Sequence, residues 1–148
     1  MILNAAPARA MDAALLALTD VLVVNRIEAA ELLGQGGLPT DMTQTLGGLA
    51  ELGPEQVIVT LGAGGLMLED KGQVVARPAC PVDVISTHGA GDAFIGALAA
   101  ELSRGVTLTA AADFAQRAAA LHVATAPGDR AQITAQAVRA LAGQTASP

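Results

Sequence analysis

Short runs of β-branched and apolar residues alternate along the chain with longer stretches in which Ala and Leu recur at helical spacing. The short runs predict strands at 2–4, 21–25, 56–61, 66–69, 73–76 and 82–86. The longer stretches predict helices over about 10–18, 26–33, 41–52, 107–124 and 131–142, and one that follows residue 92 and ends near 104. This alternation predicts a three-layer αβα fold, with a mainly parallel sheet and helices on both faces. The turn Asp70-Lys71-Gly72 adds a hairpin at the edge of that sheet.

The composition fits one domain with a hydrophobic core. Of the 148 residues, 52% are hydrophobic and 15% are charged. We expect residues 1–143 to form this domain and 144–148 to be a disordered tail. The net charge of −6, without clustered Lys or Arg, argues against a nucleic-acid partner or an anionic membrane surface. Phe94 and Phe114 are the only aromatic residues, so a nucleotide would have to be held by backbone and aliphatic contacts.

Membrane and export features are weak in the sequence. The best apolar stretch, 11–24, is interrupted by Asp12, Thr19 and Asp20, so no membrane span is predicted. No basic segment opens the chain, so no signal peptide is predicted either. Cys80 is the single cysteine and cannot form an internal disulfide, which suits a reducing compartment. We therefore expect a cytoplasmic protein.

The glycine-containing loops that follow predicted strands do not match the common phosphate-binding or hydrolase signatures. A dinucleotide-binding fingerprint requires a third glycine, where this chain has Met67 after one loop and Phe94 after another. The chain has no Gly-Lys-Ser/Thr triplet and no Gly-x-Ser-x-Gly motif. His88 and His122 lack companions at a metal-ligand spacing. The sequence therefore argues against a dehydrogenase, a Walker-type nucleotidase, a serine hydrolase and a zinc enzyme.

The run 86–94, Ser-Thr-His-Gly-Ala-Gly-Asp-Ala-Phe, predicts an anion-binding loop at the start of a helix. Its small residues Gly89, Ala90 and Gly91 leave backbone N–H groups able to face an anion, which the helix dipole favours. Asp92 would repel a phosphate, but it suits a base that takes a proton from an attacking hydroxyl. The alternative is that Asp92 is an ordinary acidic residue of a first helical turn and that the glycines only close a turn.

This run resembles the signature of the ribokinase-like carbohydrate kinases, and four other segments agree with that family in order and spacing. Residues 2–8, Ile-Leu-Asn-Ala-Ala-Pro-Ala, resemble its strand that ends in an Asn-Pro-Ala-Pro type of turn. Residues 25–28, Asn-Arg-Ile-Glu, are similar to its Asn-x-x-Glu motif, and 60–65, Thr-Leu-Gly-Ala-Gly-Gly, to its Thr-Leu-Gly-x-x-Gly loop. Residues 114–123 resemble the helix that lines its adenine pocket.

The resemblance implies a role for each matching residue. It makes Asp92 the general base and assigns the anion hole for the transferred phosphoryl group to Gly89, Ala90 and Gly91. The residues that it places at the nucleotide are Asn25, Thr60, Gly62, Gly65 and Gln116. The implied cofactors are ATP and Mg²⁺. From the residues alone, the alternative is that Gly64-Gly65 is only an ordinary strand-to-strand turn.

Two candidate cation sites also follow from the resemblance. Glu28 is implied to organise Mg²⁺ through water, the alternative being an ordinary solvated charge on a helix. Members of the family that use K⁺ usually carry Asp-Thr where this chain has Ser86-Thr87, and that Asp helps to bind K⁺ beside the anion hole. Serine offers only a neutral oxygen, and the loop 125–130 also departs from the family's usual sequence. Thr87 thus marks a monovalent-cation site at which K⁺ binding is expected to be weakened or lost.

The implied function is an ATP-dependent sugar kinase, of which this chain resembles only the nucleotide-binding and catalytic C-terminal half. A small sugar is the implied substrate once the N-terminal half, with its sugar-binding loop and small β-sheet lid, is supplied. A sheet edge that this half would normally cover predicts a homo-oligomer or a separate N-terminal half as partner. The alternative is a truncated, catalytically incompetent module that binds nucleotide or associates with itself.

Overall fold

The structure, a computed structural model, describes residues 1–7 and 11–141. These fall into two compact units, the first Met1–Pro78 and the second beginning at Ala79. The predicted tail at 144–148 lies outside the described residues, as does Ala8 of the segment 2–8. The first unit contains a sheet of five strands, β1 (Ile2–Asn4), β2 (Val21–Asn25), β3 (Gln56–Thr60), β4 (Leu66–Asp70) and β5 (Gln73–Arg77).

The strand order of the sheet is β1-β2-β3-β4-β5, so β1 and β5 are its edges. Strands β1, β2 and β3 pair in parallel, whereas β4 pairs antiparallel with both β3 and β5. The sheet is thus mixed, and its antiparallel part contains the hairpin predicted at the edge. Lys71 (φ 53°) and Gly72 (φ 83°) link β4 to β5. Two consecutive positive φ angles are the requirement of the type I′ turn that matches the twist of a hairpin.

Three helices of the first unit pack on one face of this sheet. They are α1 (Ala13–Ala17), α2 (Arg26–Leu32) and α3 (Met42–Ala50). Each begins after a polar N-cap residue whose side chain accepts backbone hydrogen bonds, namely Asp12, Asn25 and Asp41. Alternate residues of the strands meet the apolar faces of the helices in one core, which includes Leu16, Leu22, Val24, Ala29, Leu46, Leu49, Val57 and Val59. Burial of each Leu or Val of this core stabilises the unit by about 1.5–3 kcal/mol.

The second unit is helical, with α4 (Ala90–Leu102), α5 (Leu108–Ala124) and α6 (Ala135–Leu141), and a 3₁₀ helix at Pro127–Gln132. A partly buried ion pair joins α6 to α4, since Nη2 of Arg139 lies 2.9 Å from Oε1 of Glu101. The guanidinium of Arg139 also lies 5.0 Å from the centre of the Phe114 ring. Glu101 is only 8% exposed, so its charge requires this partner.

The prediction of a strand at 82–86 is wrong. The segment is not part of a sheet, and the backbone amides of Ile85 and Ser86 both donate to the carbonyl of Val123, at 2.8 and 3.1 Å. Val84 and Ile85 are 58% and 60% exposed. Their β-branched side chains produced a strand-like pattern, but the hydrogen-bond partner of this segment is the end of α5.

Two predicted helices are shorter than their periodic patterns. Within 11–18, the described part of the stretch 10–18, the helix is limited to α1, of five residues. The stretch 131–142 begins in the 3₁₀ helix, and α6 starts only after Thr134, whose hydroxyl accepts from the amide of Ala137 at 3.2 Å. Among the described helices, none is long and apolar enough to cross a membrane.

Candidate active site

The predicted site residues fall into two groups, one in each unit. The first unit contains Asn25, Glu28, Thr60, Gly62 and Gly65. The second contains Thr87, Gly89, Ala90, Gly91, Asp92 and Gln116.

The first group gathers at the carboxyl ends of two neighbouring parallel strands. Asn25 ends β2, Thr60 ends β3, and the two residues are register partners. The hydroxyl of Thr60 donates to the carbonyl of Val24 at 3.4 Å, across the same strand pair. Because ligands of open α/β sheets bind at the carboxyl ends of parallel strands, this edge is where a nucleotide is expected.

Asn25 and Glu28 form a capping box at the start of α2. Oδ1 of Asn25 accepts from the amides of Ile27 (2.8 Å) and Glu28 (3.0 Å), and Oε2 of Glu28 accepts from the amide of Asn25 (2.8 Å). The spacing Asn-x-x-Glu is itself the sequence signal for such a box. Both side chains therefore have a structural role, while Nδ2 of Asn25 and Oε1 of Glu28 are not used by the box.

The loop 60–65 is a tight strand-to-strand turn from β3 into β4. The amide of Leu61 donates to the carbonyl of Gly65 at 2.8 Å, and the amide of Gly65 donates to that of Gly62 at 3.0 Å. Gly62 has φ 59°, and Gly65 has φ 91° with ψ −133°. Side chains rarely tolerate the second conformation, so Gly65 is required by the turn itself. A turn and a nucleotide contact are compatible here, because glycine also leaves the backbone accessible.

In the second group, α4 begins earlier than predicted. Gly89 is its N-cap residue, with φ 78°, and the first helical residue is Ala90, so Gly91 and Asp92 lie within the first turn. The amide of Ala90 donates to the carbonyl of Thr87 at 3.2 Å. Within residues 1–7 and 11–141, the amides of Gly91 and Asp92 have no acceptor. The amides that an anion could bind are thus those of Gly91 and Asp92, beside the exposed carboxylate of Asp92.

His122, at the end of α5, supports this loop. Its Nε2 lies 3.0 Å from the carbonyl oxygen of His88. Because a carbonyl only accepts, Nε2 carries the proton of this hydrogen bond. A Cβ placed on Gly89 would lie 3.0 Å from the same nitrogen. Glycine at position 89 is therefore required both by its positive φ and by the close approach of the imidazole.

Arg130 is the residue of this region that the sequence did not single out. Its guanidinium donates to three backbone carbonyls, from Nη1 to His88 (2.9 Å), from Nη2 to Ser86 (3.0 Å) and from Nε to Thr125 (3.2 Å). No carboxylate of the described chain pairs with it. Two of these acceptors lie 42 and 44 residues away along the chain, so no local pattern could have indicated the contacts.

Gln116 lies in α5, and its side chain is hydrogen-bonded with Cys80. Burial raises the pKa of the Cys80 thiol above its ordinary value, and Asp113 adds to this, while Arg117 and the Gln116 hydrogen bond oppose it. The contact gives Gln116 a structural role beside Cys80. Its place next to an adenine ring stays a prediction.

The residues present fit Mg²⁺, the first cation that the resemblance implies, but not K⁺. In the part of the chain that the structure describes, no three His, Cys, Asp or Glu side chains are grouped as a metal site. Mg²⁺ commonly binds through one or two carboxylates together with water and substrate phosphates, so Glu28 suits it. K⁺ is held by carbonyl oxygens, and the carbonyls of Ser86 and His88 already accept from Arg130.

A comparison with family models decides which family these residues represent. The model described as pfkB family carbohydrate kinase matches residues 1–134. The chain is a pfkB family carbohydrate kinase domain. This confirms the family that the five motifs indicated.

Among curated relatives of this pfkB family chain, ribokinase from Staphylococcus aureus is 37% identical over 127 residues, which is 82% of this chain and 41% of that protein. Ribokinase from Bacillus subtilis is 33% identical, covering 83% of this chain and 39% of that protein. Deoxyribokinase from Salmonella typhi is 36% identical, over 67% of this chain and 33% of that protein. The pfkB family chain thus spans about two fifths or less of these relatives.

Solved structures confirm the predicted αβα fold class. Ribokinase from Thermotoga maritima matches with a TM-score of 0.83 and 29% identity, covering 96% of this chain and 48% of that one. Ribokinase from Arabidopsis thaliana, solved with ribose and ATP, matches with a TM-score of 0.84 and 28% identity, covering 95% and 46%. The pfkB family chain therefore corresponds to about half of each solved enzyme.

Proposed function

We propose that this chain is the nucleotide-binding and catalytic half of an ATP-dependent sugar kinase. The observation that carries the proposal is the position of Asp92, exposed in the first turn of α4 directly after Gly89 and Gly91, in a chain of the pfkB family. The Arabidopsis relative was solved with ribose and ATP, which supports a small sugar and ATP as the substrate classes.

In the proposed reaction, a sugar hydroxyl attacks the γ-phosphorus of ATP. The new bond joins the sugar oxygen to phosphorus, and the bond from phosphorus to the β,γ-bridging oxygen breaks, so that ADP leaves. The carboxylate of Asp92 accepts the hydroxyl proton. The amides of Gly91 and Asp92, at the positive end of the α4 dipole, stabilise the charge that develops on the phosphoryl oxygens.

The first unit is proposed to bind the nucleotide phosphates. Asn25 and Thr60 lie at the carboxyl ends of β2 and β3, and the turn containing Gly62 and Gly65 follows directly. Glu28 would hold Mg²⁺ through water, which neutralises phosphate charge during transfer. The capping box supports this role, because it fixes the backbone and both side chains at the end of β2.

Sugar binding is proposed to depend on residues beyond the matched half. The chain covers 41% of the Staphylococcus aureus ribokinase and 48% of the Thermotoga maritima structure. A separate N-terminal half, or a second copy of this chain along β1, is the proposed partner. Strand β1 is an edge strand whose described neighbour is β2, and such an edge can pair with another chain.

The proposal is tested by thermal melting with and without MgATP, followed by a screen for sugar-dependent ADP release with the sugar-binding half supplied. We expect MgATP to raise the melting temperature of the parent and of the Asp92→Asn variant alike. ADP release should require a sugar and should be lost in Asp92→Asn. Asp83→Asn, which neutralises another exposed carboxylate of the second unit, serves as the control and should keep the activity.

Two other results would change the assignment. A melting shift with MgATP but no sugar-dependent ADP release would favour the alternative, a catalytically incompetent nucleotide-binding module. Absence of any shift with MgATP, for a chain that melts cooperatively, would contradict nucleotide binding by this half.

A further inference from the structure

The guanidinium of Arg130 is a positive charge bound to three backbone carbonyls. Its three donor nitrogens each bind one carbonyl oxygen, of Ser86, His88 and Thr125, at 3.0, 2.9 and 3.2 Å. No carboxylate in residues 1–7 or 11–141 forms an ion pair with it. A cation whose partners are carbonyl oxygens has the surroundings that a protein gives to a bound K⁺ ion.

These carbonyls belong to two segments that end beside Gly89. Ser86 and His88 lie in the loop that leads into α4, and Thr125 follows the end of α5. The carbonyl of His88 also accepts from Nε2 of His122 at 3.0 Å. The loop before the first turn of α4 is therefore held by the side chains of Arg130 and His122.

We propose that Arg130 takes the place of a monovalent cation at this loop, so that the chain binds no K⁺ there. Serine at position 86 agrees with this proposal, because a chain that binds no K⁺ at this loop does not need a carboxylate at that position. The carbonyl oxygens of Ser86 and His88 are occupied by N–H donors, and a second positive charge a few ångströms from the guanidinium would be repelled. Arg130 is a positioning residue, since it acts on the phosphoryl site through the loop.

The inference rests on the proposed function only in assigning phosphoryl binding to the loop before α4. Its test is thermal melting of the chain without nucleotide. First, the parent chain is melted in KCl, NaCl and tetramethylammonium chloride at one matched concentration. We expect the same melting temperature in KCl and NaCl. A selective increase in KCl would overturn the proposal, because it would show that K⁺ still binds the folded chain.

Second, Arg130→Ala removes the guanidinium and leaves the carbonyls. We expect its melting temperature to fall by roughly 5 °C, and to be partly restored by methylguanidinium or by K⁺ at concentrations that do not affect the parent. Arg104→Ala is the matched control, since Arg104 is a 64% exposed arginine of the same unit whose described ion pair, with Glu101, is 3.8 Å long. It should show neither the fall nor the restoration.

If Arg130 has only a structural role, the melting temperature of Arg130→Ala should fall and neither methylguanidinium nor K⁺ should restore it. This result would also overturn the proposal. If Arg130→Ala does not fold, Arg130→Lys replaces it in the test: lysine retains a charge that reaches fewer carbonyls, so this variant should fold and melt at a lower temperature than the parent. A change in melting with MgATP tests the proposed function separately, so failure of one does not imply failure of the other.

Discussion

Asn25 and Glu28 hydrogen-bond to each other's backbone amides, so one pair of side chains both starts α2 and ends the strand β2. Their capping box requires oxygen acceptors, whereas a Mg²⁺-nucleotide would require the charge of Glu28. The two roles can be separated by substitution, because glutamine preserves the acceptor and removes the charge.

Glu28→Gln is expected to keep the melting temperature of the free chain within about 1 °C of the parent, because the capping box accepts Gln at this position. The additional stabilisation by MgATP should decrease, while that by ATP in the presence of EDTA should not. The measurement is thermal melting under both conditions. Equal MgATP responses in parent and variant would show that Glu28 only caps α2.

Asp41→Ala provides the control for loss of a helix cap outside the site. Asp41 caps α3 by accepting from the amides of Thr43 and Gln44, both at 3.0 Å. Asn25→Ala and Asp41→Ala should each cost about 0.5–2 kcal/mol of stability in urea unfolding. Only Asn25→Ala should also weaken the response to MgATP.

Asp92→Asn is expected to reduce phosphoryl transfer by about 10²–10⁴-fold, because it removes the proton acceptor and preserves the shape of the side chain. Nucleotide binding, followed by calorimetry with ADP, should stay within a few-fold of the parent. The rate is measured as sugar-dependent ADP release with the sugar-binding half supplied. Unchanged turnover in the variant would rule out Asp92 as the base.

Gly89→Ala is expected to destabilise the chain by about 1–3 kcal/mol. The new methyl group would require a positive φ at a non-glycine residue and would lie 3.0 Å from Nε2 of His122. Gly96→Ala, in the interior of the same helix and with no atom within 4 Å of its Cβ position, is the control. It should stabilise by about 0.5–1 kcal/mol. Urea unfolding measures both, and equal effects would contradict the strain at Gly89.

The raised pKa of Cys80 gives stability a dependence on alkaline pH. The thiol of the folded chain keeps its proton at a pH where the thiol of the unfolded chain has lost it, so the unfolded state binds fewer protons. The contribution to stability is complete below the unfolded thiol's range, about 8.5, and is lost as the pH rises through the folded pKa. Cys80→Ala should abolish this component in unfolding curves measured from neutral to alkaline pH.

Much of the fold follows from local patterns in the sequence. Strand β2 was predicted with its bounds, and β3 and the β4–β5 hairpin within a residue, because short apolar runs end near strong turn residues such as Gly62 and Gly72. The helix α5 was also found, since its apolar residues recur over 17 positions. Periodicity was misleading at 82–86, where apolar residues are exposed and the backbone bonds to the end of α5.

The candidate site could be predicted only where a contiguous motif marks it. The run containing Gly89 and Asp92 indicated an anion-binding helix start, although the helix begins two residues before Asp92. The contacts of Arg130 and His122 with the carbonyl of His88 join residues more than 30 positions apart, and no spacing rule specifies them. The structural role of Glu28 was locally encoded, but its motif also fits a metal-binding interpretation.

The position of β3 between a parallel and an antiparallel neighbour bears on how the chain assembles. The β3–β4 pair brings Thr60 beside Leu66, and the β4–β5 pair brings Asp70 beside Gln73, so both pairs join residues that are close in sequence. The β2–β3 pair instead joins Val21 to Gln56, which are far apart in sequence. Loop-closure entropy increases with the length of chain between contacts, so short connections close first. The β4–β5 hairpin and the β3–β4 pair are therefore expected to form first, and β1 and β2, which join β3 through the longest connection, should be the last strands to acquire protection against amide hydrogen exchange.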